Sequence, residues 1–158
     1  MKQLIIASSV SFVSGIFLTL LIIFLAAPGI MMMEDKSNYD FQTTMRLLEE
    51  SVEKHNWKIV TKHDLQGTLK KFGKNVRPVT VFELCHPDHA GKILEGSDER
   101  IVSSLMPCRV SVYEKNDGTV YISRMNSGLM AGMFGGIIAK VMKTAAHENE
   151  LILAPLFN

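Results

Sequence analysis

Cys108-Arg-Val-Ser-Val-Tyr-Glu-Lys-Asn-Asp-Gly118-Thr-Val-Tyr-Ile-Ser-Arg-Met125 is the stretch that decides the fold. Val110, Val112, Val120 and Ile122 alternate with more polar neighbours on either side of Lys115-Asn-Asp-Gly118. Alternation at period two marks half-buried strands, and an Asp-Gly pair supplies the positive-φ residue that a tight reversal needs. Residues 108–114 and 119–125 are therefore expected to pair as an antiparallel hairpin.

Working outward, residues 79–85 form a second strand carrying Val79, Val81, Phe82 and Leu84. Pro87 suits the first position of a helix over 87–95, which would bury Ala90, Ile93 and Leu94. Residues 101–106 are a short apolar stretch. Upstream, Phe41, Met45, Leu48, Val52 and His55 recur at helical spacing over 40–56, with Asp40 as cap. Residues 57–63 alternate as a strand with one buried face, and 64–72 suit a short helix ended near Gly73. Downstream, 127–147 reads as one long apolar helix, and 151–156 as an extended segment at a sheet edge. The whole predicts an α+β domain of two layers, with a mostly antiparallel sheet and helices on one face.

Before this domain, residues 3–33 carry no charged side chain. That exceeds the ~20 apolar residues that cross a bilayer core, so 1–33 reads as a single transmembrane anchor, 34–39 as a polar connector and 40–158 as the domain. A cleaved signal peptide is the lesser reading, because its apolar core is about 7–15 residues long. Pro28-Gly29 is expected to end the helix. Lys2 and the amino terminus on the near side, against Glu34 and Asp35 beyond it, put the amino terminus in the cytoplasm and the domain outside the inner membrane. Ala7, Ser11, Gly15 and Thr19 make a small-residue stripe that suits pairing with itself or with a membrane complex.

The chain holds 17 Lys+Arg against 16 Asp+Glu, and no basic block with interleaved aromatics stands out, which argues against nucleic acid as a partner. Two cysteines, Cys85 and Cys108, are the thiol inventory. In an oxidising compartment such a pair is expected to bond.

Val81-Phe-Glu-Leu-Cys-His-Pro87, Met106-Pro-Cys-Arg-Val-Ser-Val-Tyr113, the Asp-Gly hairpin and Met125-Asn126 together resemble the bacterial and archaeal family called domain of unknown function 302. The likeness covers about residues 40–155. It implies a compact α+β domain able to dimerise, and it implies no reaction.

The residues with chemistry to offer are Cys85, His86, His89 and Cys108. Cys85 ends one strand and Cys108 starts another, while His86 and His89 stand three apart at a helix start. Two thiolates and two imidazoles suit zinc, or copper(I) with Met106 or Met125 nearby. Met106, Met125 and Asn126 are the other candidate cofactor contacts. A covalent haem is disfavoured because Cys-x-x-Cys-His is absent, whereas a noncovalent haem stays open. Against these stand a Cys85–Cys108 disulfide, a pair of small buried thiols, a capping His86 and a solvated His89. A Cys85 activated by the helix start is a further reading. Arg109 and Arg124 read as cross-strand surface charges. No catalytic motif is present, so the domain reads as a non-enzymatic accessory or binding subunit, with a redox-cycling dithiol and a structural subunit as alternatives.

Gly128, Gly132 and Gly136 repeat every four residues in the last helix. Glycine costs a helix about 1 kcal/mol relative to alanine, so close packing is expected on that face. It would serve against the sheet, against a second copy or partner, or around a flat apolar ligand.

Overall fold

The structure is a computed structural model that describes residues 2–157, with side chains from residue 12 onward. Contacts divide the chain after Met32, and each unit is described by itself. The first is a single helix, α1 (Lys2–Met31). Its stretch Phe12–Met31 is long and apolar enough to cross a membrane. The helix runs through Pro28 rather than ending there. A proline removes one backbone hydrogen bond and bends a helix without obliging the later turns to unwind. Ala7 and Ser11 lie outside the described side chains; Thr19 spends its hydroxyl on the Gly15 carbonyl, 2.9 Å away.

In the second unit the elements run β1 (Met32–Lys36), α2 (Phe41–Lys54), β2 (Lys58–Asp64), α3 (Leu65–Lys70), β3 (Val79–Cys85), α4 (Pro87–Leu94), β4 (Cys108–Glu114), β5 (Val120–Met125), α5 (Ser127–Ala131) and α6 (Gly136–Leu153). A 3₁₀ helix, Asp98–Leu105, precedes β4, and a second, Ala154–Leu156, follows α6. The five strands form one sheet in the order β1-β5-β4-β3-β2. The expected hairpin is present, with Val112 facing Ile122 and Gly118 at φ +81° in the turn. β3 pairs antiparallel with β4, Phe82 facing Val110. The α+β class and antiparallel sheet follow the alternation read in 79–85 and 108–125.

Phe82, Leu84, Val110, Val112, Val120 and Ile122 point to one side of the sheet. There they meet Leu48 and Val52 of α2 and Ile152 and Leu153 of α6, all buried. Asp40 caps α2 by accepting a hydrogen bond from the Thr43 amide at 3.0 Å. A second apolar cluster joins Ile93, Val102 and Val141 across α4, the 3₁₀ helix and α6, with Met106, Phe134 and Ile138 packed on it.

Five further readings are corrected. Residues 34–39, taken as connector, instead begin inside edge strand β1; the following amides are held, Ser37 N–H donating to the Val120 carbonyl and Asn38 N–H to the Leu156 carbonyl. Residues 151–156 finish α6 and turn through a 3₁₀ helix, so the sheet takes its fifth strand from the start of the domain. β2 buries little of either face: Ile59 packs half-buried on the core and the rest of the strand is exposed, because it is the far edge strand with a register shift between Ile59 and Thr61. Leu94 is exposed, lying past the side of α4 that meets Val102 and Val141.

The fifth correction concerns the glycine helix. It breaks into α5 and α6, with Gly132 ending the first and Gly135 capping the second. Gly136 sits at φ +58°, a left-handed conformation that no continuous helix contains. Gly128, Gly132 and Gly136 therefore do not share one helical face. Gly136→Ala is expected to cost about 1–2 kcal/mol from the left-handed backbone alone. A methyl on Gly128 would meet Ala146 Cβ at an ordinary 3.7 Å, so Gly128→Ala is expected to be neutral or slightly stabilising. Urea unfolding of the detergent-solubilised chain separates the two; the reverse order would restore a continuous glycine face.

Candidate functional site

Trp57, His86, His89 and Glu148 converge from four places in the chain. Trp57 lies in the turn between α2 and β2 and is only 2% exposed. His86 is the residue before α4, and His89 follows one turn later, because Pro87 sets the first helical position between them. Glu148 comes from α6, whose buried positions Val141, Ala145, Asn149 and Ile152 mark its inward side. The Glu148 carboxylate Oε2 accepts a hydrogen bond from Trp57 Nε1–H at 2.9 Å and lies 2.9 Å from His89 Nε2. The two imidazoles lie tilted at 4.3 Å between centroids, and Trp57 meets both edge-on, at 5.8 and 6.1 Å.

One potential ligand atom from each of His86, His89 and Glu148 falls within 4.8 Å of the others. His86 Nδ1 is buried with no hydrogen-bond partner. A buried polar atom left unsatisfied is costly, and a bound cation would satisfy it. Desolvation pushes the Glu148 carboxyl upward. Hydrogen bonds from His89 and Trp57, with the electrostatic influence of the two imidazoles, outweigh that and hold it below the usual glutamate range. Glu148 is thus a carboxylate at neutral pH, suited to a cation.

The cysteines stand apart from this group. Cys85 and Cys108 are free thiols. Leu84, not Cys85, faces Cys108 across the β3–β4 ladder. Successive residues point to opposite faces of a strand, so Cys108 joins Leu84 on the core side and Cys85 turns away. The expected disulfide is absent for that reason. Burial pushes the Cys108 thiol up to about 11, with Cys85 adding a smaller push, and burial also raises Cys85. A raised thiol is a poor nucleophile and a poor ligand, so desolvation overrides the helix start that was expected to activate Cys85.

The other candidates also separate. Met106 packs in the second apolar cluster. Met125 and Asn126 line a different cleft of ≈ 240 Å³ with Lys143, His147 and Glu150, and Asn126 caps α5 by accepting from the Leu129 amide at 3.1 Å. That cleft is below the ~300 Å³ at which small-molecule pockets usually begin. Arg109 is an exposed cross-strand partner of Glu83, as expected. Arg124, read as a surface charge, is buried between Asp35 and Glu150. His86 makes no side-chain cap, and His89 is mostly shielded and bonded to Glu148.

Glu148 and Trp57 are the members that sequence reading missed. No local sequence signal marks Glu148, one of several polar residues in His147-Glu-Asn-Glu150. The signal for Trp57 is its being the one tryptophan of the chain, placed before a strand.

The family model described as "Domain of unknown function DUF302" matches residues 33–153 of this chain. A crystal structure described as an uncharacterized conserved protein DUF302 from Bacillus stearothermophilus is similar, with a TM-score of 0.71. It shares 19% identity, and the match covers 80% of this chain and 98% of that one. At that identity the likeness speaks for the fold alone. No curated protein matches the chain.

Proposed function

This chain belongs to the DUF302 family, and from that premise we propose that it is a membrane-anchored binding domain holding a divalent transition-metal ion through His86, His89 and Glu148. The observation that carries this reading is the convergence of two imidazoles and a carboxylate, together with a His86 Nδ1 that is buried and unsatisfied. Two histidines and one carboxylate are a donor set for zinc or a neighbouring divalent ion, with positions left open for water or a partner's ligand. The soft copper(I) alternative loses support, since both thiols lie outside the cluster. Trp57 would act from behind the ligands, its indole N–H orienting the carboxylate as second partners of metal sites do. The ion would take the place of the proton now between His89 Nε2 and Glu148 Oε2.

The apolar helix Phe12–Met31 supports the anchor, and Lys2 before it supports an amino terminus in the cytoplasm with the domain outside. In this reading the domain is an accessory subunit rather than an enzyme. The test is zinc titration of the full chain in detergent, with chelator competition and the Trp57 emission as readouts. One zinc per chain is expected, with loss of binding in a His86→Ala/His89→Ala double variant. Unchanged affinity in that variant sinks the site. Release of the chain from vesicles by alkaline carbonate sinks the anchor independently.

A further inference from the structure

Helix α3 buries none of its residues. Isolated helices this short are unstable in water, so a helix normally owes its stability to a packed face. Here α3 touches β3, yet each residue of its apolar face stays more than a third exposed. Leu65, Leu69 and Phe72 stand at i, i+4 and i+7, and Val76 follows; all four are exposed, Phe72 by 75%.

Around them the charge is one-sided. Within residues 64–77, Lys70, Lys71, Lys74 and Arg77 stand against one acid, Asp64, which is occupied in capping the helix through the Gly67 amide at 2.8 Å. Arg77 pairs with Glu114 at 2.8 Å. Among the described residues, Lys70, Lys71 and Lys74 have no ion pair, unlike Lys62 on the neighbouring strand, which meets Glu49.

The segment has a built shape. Gly73 turns it at φ +72°, Lys74 N–H donates to the Leu69 carbonyl at 3.1 Å, and Gln66 Nε2 donates to the Val76 carbonyl at 2.9 Å. These bonds hold Phe72 and the lysines at the tip of a closed excursion from the sheet edge.

We infer that residues 65–77 dock on an anionic phospholipid surface, with Phe72, Leu69 and Leu65 entering the headgroup layer and Lys70, Lys71 and Lys74 meeting its phosphates. An apolar face flanked by lysines is the composition of interfacial amphipathic segments, and a negative surface attracts such cations over about a Debye length. A nucleic-acid groove would instead offer several aromatic platforms, and Phe72 is the one ring here. The inference rests on the anchor reading, because a tether raises the effective concentration of the domain at a bilayer.

The test uses the full chain carrying Phe72→Trp, reconstituted into vesicles containing brominated lipid, either wholly zwitterionic or about one-third anionic. Buried Trp57 supplies the unquenched background. Emission from the new indole is expected to fall by about half in anionic vesicles. It should recover when Lys70→Glu, Lys71→Glu and Lys74→Glu are added, or in high salt. Unquenched emission from protein that stays with vesicles through alkaline carbonate overturns the docking while keeping the anchor. Quenching in protein that carbonate then releases keeps the docking while overturning the anchor. Equal quenching in zwitterionic vesicles, or competition by a single-stranded oligonucleotide, overturns the assignment to anionic lipid.

Discussion

Arg124→Met is expected to destabilise the domain by about 3 kcal/mol, the largest loss from any single polar side chain in the fold. The guanidinium is 3% exposed and ties three elements together. From β5 it bonds Asp35 of β1 through Nη1, and it holds Glu150 of α6 through Nε at 2.9 Å and Nη2. Phe157 covers its other side, 5.5 Å from ring centroid to Cζ. Desolvation disfavours the charge, but the two carboxylates more than restore it, and the Arg124 pKa is raised. Methionine fills the volume and leaves Asp35 and Glu150 unpaired. Both carboxylates are partly exposed and can take up water, so the loss falls at the low end for a broken buried pair. Arg124→Lys should recover only part, because one ammonium cannot reproduce a fork toward two acids. Adding Asp35→Asn and Glu150→Gln to Arg124→Met should restore some stability, since no charge is then left uncompensated. Urea unfolding followed by Trp57 emission reads all of these. A loss below about 1 kcal/mol, the level of an exposed pair, would show that the burial confers no energetic weight.

Arg124 also shows where sequence reading stops. Local signals placed the hairpin, β3, α2, α3 and α4, because each rests on period, caps and turn residues within a dozen positions. Asp40, Pro87, Gly73 and Gly118 mark boundaries through their own backbone or side-chain chemistry. Failures arise where a distant partner decides. Met32–Lys36 carries no strand pattern of its own, and becomes a strand because β5 offers a free edge. Arg124 looks like any strand cation until β1 and α6 enclose it.

The candidate site divides the same way. His86 and His89 stand three apart in sequence, so local reading finds them. Glu148 lies 59 positions from His89, and only the packing of α6 beside α4 brings it there. The cysteines were grouped by the nearness of strand ends, and the one-residue offset in the β3–β4 register separates them. A formal charge of +1 over the whole chain likewise hid the one-sided stretch from Lys70 to Arg77, since the compensating acids lie elsewhere.

Glu148→Gln is expected to lower zinc affinity by about 100-fold. It keeps an oxygen for Trp57 Nε1–H to find but removes the charge from the donor set. Trp57→Phe leaves the three ligands and removes only the orienting donor, for a smaller loss of about tenfold. The ordering matters, because a purely structural cluster would show no dependence of metal affinity on either. The pH profile gives a second readout. The Glu148 pKa is depressed in the folded chain, so its carboxylate is intact throughout the neutral range. The ratio of wild-type to Glu148→Gln affinity should therefore be constant between about pH 6 and 8, even though zinc binding itself weakens as protons compete for the ligands. Without metal, the sign runs through stability. A depressed carboxyl stabilises the fold above its unfolded value of 4.5, and that contribution disappears as pH falls through the lower folded value. The stability gap between wild type and Glu148→Gln should be full at pH 7 and close in strong acid. A gap that widens on acidification would mean that Glu148 is held protonated, and a protonated Glu148 would make a poor ligand for the proposed ion.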